Sequence, residues 1–160
     1  MIGVVSRDSK VDAAAAAGCA AVIVSAREDV AQGVREMTGG RGVGVVFDAI
    51  GRATFETSLA SLAPRGHLVS FGQVSGPVGA RDIDALASRS IRLSRPNFAD
   101  YVDTTETFRQ RAERLFAVLR TGQVRPVIDS EWPLSKAAEA HQRLESREAI
   151  GSILLVPGGD

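Results

Sequence analysis

The chain has 160 residues, 44% apolar and 24% charged, which suits a globular protein with one sizeable core. Lys plus Arg number 19, as do Asp plus Glu, so no overall field draws the chain to nucleic acid or an anionic membrane. A single cysteine, Cys19, excludes an internal disulfide and fits a reducing cytoplasm.

Apolar runs and helical patterns alternate along the sequence. Ile2–Val5 reads as a buried strand that runs into Ser6-Arg7-Asp8-Ser9-Lys10. Arg7 and Asp8 follow so few apolar residues that no signal peptide is expected at Met1. An alanine-rich helix is predicted over about Asp8 to Ala17, with Gly18 able to end it in a left-handed cap. The nearly apolar stretch Ala13 to Val24 is broken by that glycine and is too short to span a bilayer. Ala20–Val24 is the next strand; Ser25 and Glu28 have the spacing of a capping box, ahead of a helix with Val30, Val34 and Met37 on one face. Gly39-Gly40 stops it. Val43–Phe47 is a third strand, ending in Asp48-Ala49-Ile50-Gly51, and Phe55, Leu59 and Leu62 stripe a third helix closed by Pro64. His67–Phe71 and Ile91–Ser94 complete five strands, with a short helix or loop around Asp82–Ser88. The strands are continuous rather than alternating, which indicates a sheet covered on both faces, and the repeated units predict a doubly wound parallel α/β sheet.

Beyond Arg95-Pro96 the pattern changes. Asp103 and Glu106 can cap a long helix whose core face carries Phe108, Ala112, Leu115, Phe116 and Leu119 and which ends at Thr121-Gly122. Val124–Ile128 reads as a lone strand, Ser135 to Arg147 as a helix and Ile153–Val156 as a last strand.

Doubly wound sheets bind ligands at the carboxyl ends of their strands. If Ile2–Val5 is the second strand of a dinucleotide fold, Ser6 stands where an acidic residue would take the ribose of NAD, with Arg7 and Lys10 beside it. A hydroxyl and two cations suit a 2′-phosphate. The bland alternative is two solvated charges at a helix start, where the helix dipole disfavours them. The glycine turn that should hold a pyrophosphate is missing from the sequence: Gly40-Arg41-Gly42-Val43-Gly44 lacks the third glycine and precedes a strand instead of following one.

Several segments together, VSRDSK, GGRGVGVVFDAIGRATFETSLASLAPRGHLVSFG, LSRP and HQRLESREAIGSILLVP, carry a resemblance. The chain resembles the zinc-free, zeta-crystallin-like quinone oxidoreductases of the medium-chain dehydrogenase/reductase superfamily, specifically their C-terminal cofactor-binding portion. The resemblance implies a Rossmann-like sheet lacking its first strand and glycine-rich turn. It implies an incomplete dinucleotide-binding domain over 1–122 and a strand-helix-strand segment over 123–160 that packs on the catalytic domain in full-length relatives. The implied cofactor is NADPH. Ser6, Arg7 and Lys10 fall in the turn around its 2′-phosphate, and Ala49 and Gly51 near the adenosine ribose. Phe71, Gly72 and Gln73, with Arg95, Pro96 and Asn97, fall at the nicotinamide end; Arg147 matches an arginine that reaches the cofactor from the C-terminal helix. Ser25 departs from the tyrosine of several relatives. The implied chemistry is hydride transfer to a quinone or enone, with no general acid to name in this chain. A homodimer through the sheet edge near Ile91–Ser94 is also implied. Two other readings stand beside this one, a non-catalytic dimerisation module and a Rossmann-like remnant binding another nucleotide.

Other conspicuous residues have plainer readings. Cys19 reads as a small buried hydrophobe, His67 and His141 lack metal-ligand spacing, Trp132 reads as a core or interdomain anchor, and Arg109–Arg114 as a solvated helix face.

Overall fold

Every strand pair among the described residues runs parallel. The computed structural model describes residues 1–158 and divides into two units, Met1–Thr105 and Glu106–Asp160.

In the first unit β1 (Ile2–Val5) pairs with β2 (Ala21–Val24), Val5 opposite Val24. A second ladder runs in the order β3 (Val43–Asp48), β4 (Leu62–Ser70), β5 (Arg92–Ser94). The sequence predicts one continuous sheet; the structure has two ladders, with β1 and β3 each paired on a single side. The spatial order of this fold explains the break, because it runs 3-2-1-4-5-6. With β1 and β2 as the second and third strands and β3 as the fourth, one position between β1 and β3 has no strand.

Three helices serve these ladders: α1 (Val11–Ala16), α2 (Val30–Met37) and α3 (Phe55–Ala60). Phe55, Leu62 and Leu68 form one buried cluster, against which Val43, Val46, Leu59, Val78 and Ile91 pack. Ile23, Val24, Ala31 and Val34 are the buried residues of the other half. The capping box is not formed. Asp29 caps α2 by accepting from the Gln32 N–H, while the Glu28 carboxylate takes the Val24 N–H and the Ser25 hydroxyl donates to the Val5 carbonyl. Leu62 belongs to β4, not to α3, because it pairs with Val43; the next pair, Val45 with His67, leaves 63–66 as a bulge. Cys19 packs against β1, where a side chain at Gly3 would meet its sulfur at 2.7 Å.

The second unit contains α4 (Thr105–Arg120), β6 (Ile128–Pro133), α5 (Ala137–Glu145) and β7 (Ser152–Val156), with β6 parallel to β7. The predicted strand Val124–Ile128 begins only at its last residue, since Pro126 has no N–H to give a ladder. Asp129 ties this unit together, accepting from the Arg143 guanidinium and the Ile150 N–H. Those hydrogen bonds, Arg143 first, hold its carboxyl below the usual aspartate value. Phe108, Leu115 and Phe116, expected on a core face, are half-exposed. The Trp132 indole donates to Ser130 Oγ at 2.9 Å. Among the described residues no helix is long and apolar enough to cross a membrane.

Candidate functional site

Parallel strands bring every loop named from the sequence, Arg147 aside, to the carboxyl ends of the first unit's ladders. Two regions result, one beyond β1 and one beyond β3 to β5.

Beyond β1, a short 3-10 turn over Asp8–Lys10 leads into α1. Ser6 and Arg7 are exposed and Lys10 half-buried, and among the described residues their side chains make no hydrogen bond or ion pair. Asp8, by contrast, is held by Arg27, whose Nε and Nη2 both lie 3.0 Å from its Oδ1. The one acid in the turn is thus paired off, which leaves Arg7 and Lys10 as the free charges. Sequence reasoning missed Arg27: it stands 19 positions from Asp8 and is brought there by the pairing of β1 with β2.

Beyond β3, the hub is Asp48, a residue the sequence reading passed over. It is buried, and its Oδ1 accepts the N–H groups of Ile50 (2.8 Å) and Gly51 (3.0 Å). The Thr54 and Ser58 hydroxyls donate to the same carboxylate, at 2.8 Å each to Oδ2. Burial works against the charge, yet the bonds from Gly51, Ser58, Thr54 and Ile50 outweigh it and hold the Asp48 carboxyl below its ordinary 3.8. An aspartate with a glycine three positions on is a local signal for such a turn.

The β4 loop is locked onto this one. Phe71 N–H donates to the Asp48 carbonyl at 2.9 Å, and the Ser75 N–H and hydroxyl both reach the Ile50 carbonyl at 2.8 Å. Packing is close enough to dictate glycine. Gly51 has φ +89° and a Cβ there would lie 2.8 Å from the Gly76 carbonyl oxygen; at Gly72 it would collide with the Ala49 carbonyl. The contact between the two loops therefore accounts for both glycines.

A cavity of about 300 Å³ opens beside these loops, lined by Phe55, Ser70, Gly72, Val78, Arg81 and Arg95 among others, Gln73 included. Arg95 Nη1 donates to the Ser70 carbonyl at 3.2 Å and to the Pro96 carbonyl at 3.4 Å, which fixes its guanidinium at the rim. Arg81 lies 5.5 Å from the Phe55 ring centre and pairs with Glu56 at 3.1 Å. Ser70 Oγ is buried and has no hydrogen-bond partner, so the cavity wall holds a hydroxyl with unused donor capacity. Asn97 points inward on its own turn, accepting from the Ala99 N–H, and Phe71 is exposed. Arg147 belongs to the second unit, exposed and with φ +60°.

The named residues thus form a tied group (Ala49, Gly51, Phe71, Gly72, Gln73, Arg95) and a separate one (Ser6, Arg7, Lys10). No hydrogen bond or ion pair joins Ser6–Lys10 to the 48–51 loop. The arrangement can bind and orient; it presents no nucleophile or base poised for bond-making. His67 is engaged with Ser94 Oγ at 2.9 Å, and among the described residues no three His, Cys, Asp or Glu stand where a metal could be held.

Comparison with known proteins gives these features a setting. A family model described as "Zinc-binding dehydrogenase" matches residues 17–155. The chain is 39% identical over 158 residues to the quinone oxidoreductase of Pseudomonas aeruginosa, covering 98% of this chain and 49% of that protein. It is 36% identical over 159 residues to a 2-haloacrylate reductase of a Burkholderia species, covering 98% and 48%. Escherichia coli quinone oxidoreductase, solved in complex with NADPH, superposes with a TM-score of 0.90 at 37% identity over 98% of this chain and 49% of that one. The chain therefore spans about half the length of the curated relatives it matches.

Proposed function

The chain belongs to the zinc-binding dehydrogenase family, as a C-terminal portion like that of the quinone oxidoreductases of the medium-chain dehydrogenase/reductase superfamily, and from that premise we propose that it is the NADPH-binding part of a quinone or enone reductase. The observation that carries this reading is the turn beyond β1, where the side chains of Ser6, Arg7 and Lys10 have no partner among the described residues while Asp8 pairs with Arg27. Free cations beside a hydroxyl suit the 2′-phosphate that separates NADPH from NADH. Ala49 and Gly51 form the neighbouring wall, held by Asp48, and Phe71, Gly72, Gln73, Arg95, Pro96 and Asn97 flank the nicotinamide end. When bound, the cofactor supplies hydride from C4 of its nicotinamide. This chain's residues orient it, and the Ser70 hydroxyl and Arg95 offer donors at the cavity.

The described residues bring no three candidate zinc donors together, and it is the resemblance to quinone oxidoreductases that supports reading the whole enzyme as zinc-free. The free edge of β5, where Leu93 is 43% exposed, supports a homodimer formed through that strand. A dimerisation module without catalysis would rest on the same edge.

Calorimetric titration with NADPH and NADH tests the reading. Weak binding with a clear preference for NADPH is expected, with the preference lost in Arg7→Ala. Equal affinity for the two nucleotides in the unaltered chain would remove the 2′-phosphate argument. The chain alone is expected to show no turnover with quinones, so robust activity would overturn its assignment as a part.

A further inference from the structure

We propose that Arg27 is a positioning residue for nucleotide choice: by holding Asp8, it keeps a carboxylate away from the 2′-phosphate position beside Ser6, Arg7 and Lys10. The inference rests on the nucleotide reading above and adds to it a residue from the turn after β2.

The turn beyond β1 is tight. The Lys10 N–H donates to the Arg7 carbonyl at 3.2 Å, so Arg7, Asp8 and Lys10 share one turn and an acid stands between two cations. Left alone, its carboxylate has two options. It can pair with Arg7 or Lys10 and occupy the donors that a phosphate needs. It can also stay free, where its charge repels a 2′-phosphate and its oxygens accept from the ribose 2′-hydroxyl of NADH. Either option moves the site from NADPH toward NADH.

Arg27 removes both. Parallel pairing sets Val5 beside Val24, and the chain then folds back after β2, with the N–H groups of Arg27 and Glu28 on the Val24 carbonyl at 3.1 and 3.0 Å. The guanidinium is thereby brought to the first turn, where Nε and Nη2 lie 3.0 Å from Asp8 Oδ1. Nη2 also lies 3.6 Å from Glu28, whose carboxylate accepts the Val24 N–H. Asp29, next along, accepts from the Gln32 N–H as the cap of α2. Among the described residues, every acid of the two turns has a partner other than Arg7 and Lys10.

The pair itself adds little to folding. Its side chains are 60% and 72% exposed, and exposed ion pairs contribute little to stability. A purely structural role for Arg27 therefore predicts almost no phenotype. A carboxylate unmasked beside a phosphate, by contrast, acts through space and is screened by salt.

The test is a titration of the full chain at low salt, followed by the amide shifts of residues 6–10. The probes are adenosine 2′,5′-bisphosphate and adenosine 5′-monophosphate, which differ only in the 2′-phosphate. The unaltered chain is expected to bind the bisphosphate more tightly. Arg27→Ala should cut that preference roughly fivefold or more, less so as salt rises, with the melting curve unchanged. Arg27→Lys should keep most of the preference. Asp8→Asn combined with Arg27→Ala should restore it, because the charge that needs a partner is gone. A preference that survives Arg27→Ala, or a loss that Asp8→Asn fails to rescue, overturns the proposal and leaves the nucleotide reading standing. Equal affinity of the unaltered chain for the two probes, or binding of neither, removes both.

Discussion

Strands β3 and β4 each hold a short apolar run, Val45-Val46-Phe47 in one and Leu68-Val69 in the other, yet these runs end in different surroundings. Leu62 and Leu68 of β4 are 2% and 0% exposed, whereas Phe47 of β3 is 73% exposed. The difference is one of neighbours. β4 has a strand on either side, while β3 has one. Burial is therefore conferred by what stands alongside, and an apolar run reports the surroundings a segment is built for.

The largest test of that contrast is Leu68→Ala, which should cost about 2–5 kcal/mol in denaturant unfolding, because the cavity forms where the first unit's core is tightest. Asp48→Ala should come next, at about 3 kcal/mol, since it strips a partner from two N–H groups and two hydroxyls at once. The same carboxylate sets a pH dependence. Its pKa is lowered on folding, so its contribution is complete above the ordinary value of 3.8 and is lost as the pH falls below it. Melting temperatures across the acid range should show that loss, and Asp48→Asn should flatten it. Gly51→Ala should cost about 1–3 kcal/mol through its positive φ and the nearby Gly76 carbonyl, again read by unfolding. Smallest of all, Phe47→Ala should change the stability of the isolated chain by no more than about 0.5 kcal/mol. A large loss there would mean that β3 is already covered.

Much of the fold could be read from residue order. Ile2–Val5 is the observed β1 to the residue, and β3 extends only to Asp48. Failures occurred where distant groups compete for a local signal. Ser25 and Glu28 had the spacing of a cap but were claimed by the Val5 carbonyl and the Val24 N–H. The run ending at Ile128 held Pro126, whose missing N–H delayed the strand. At the site, the loops were legible because parallel strands put all their carboxyl ends on one side. Arg27 and the orphan hydroxyl of Ser70 were not, because their significance depends on contacts across 19 positions or on the lack of any.

The Asp48 network has a consequence for recognition. Whatever settles against residues 49–51 meets a wall whose shape is set beforehand, so little entropy is surrendered there on docking. Arg7 and Lys10 must instead give up rotamer freedom when they close on a partner. In the proposed nucleotide site the 49–51 rim would act as a fixed jaw and the Arg7–Lys10 rim as a moving one, so tight holding would depend on how well the moving jaw is steadied.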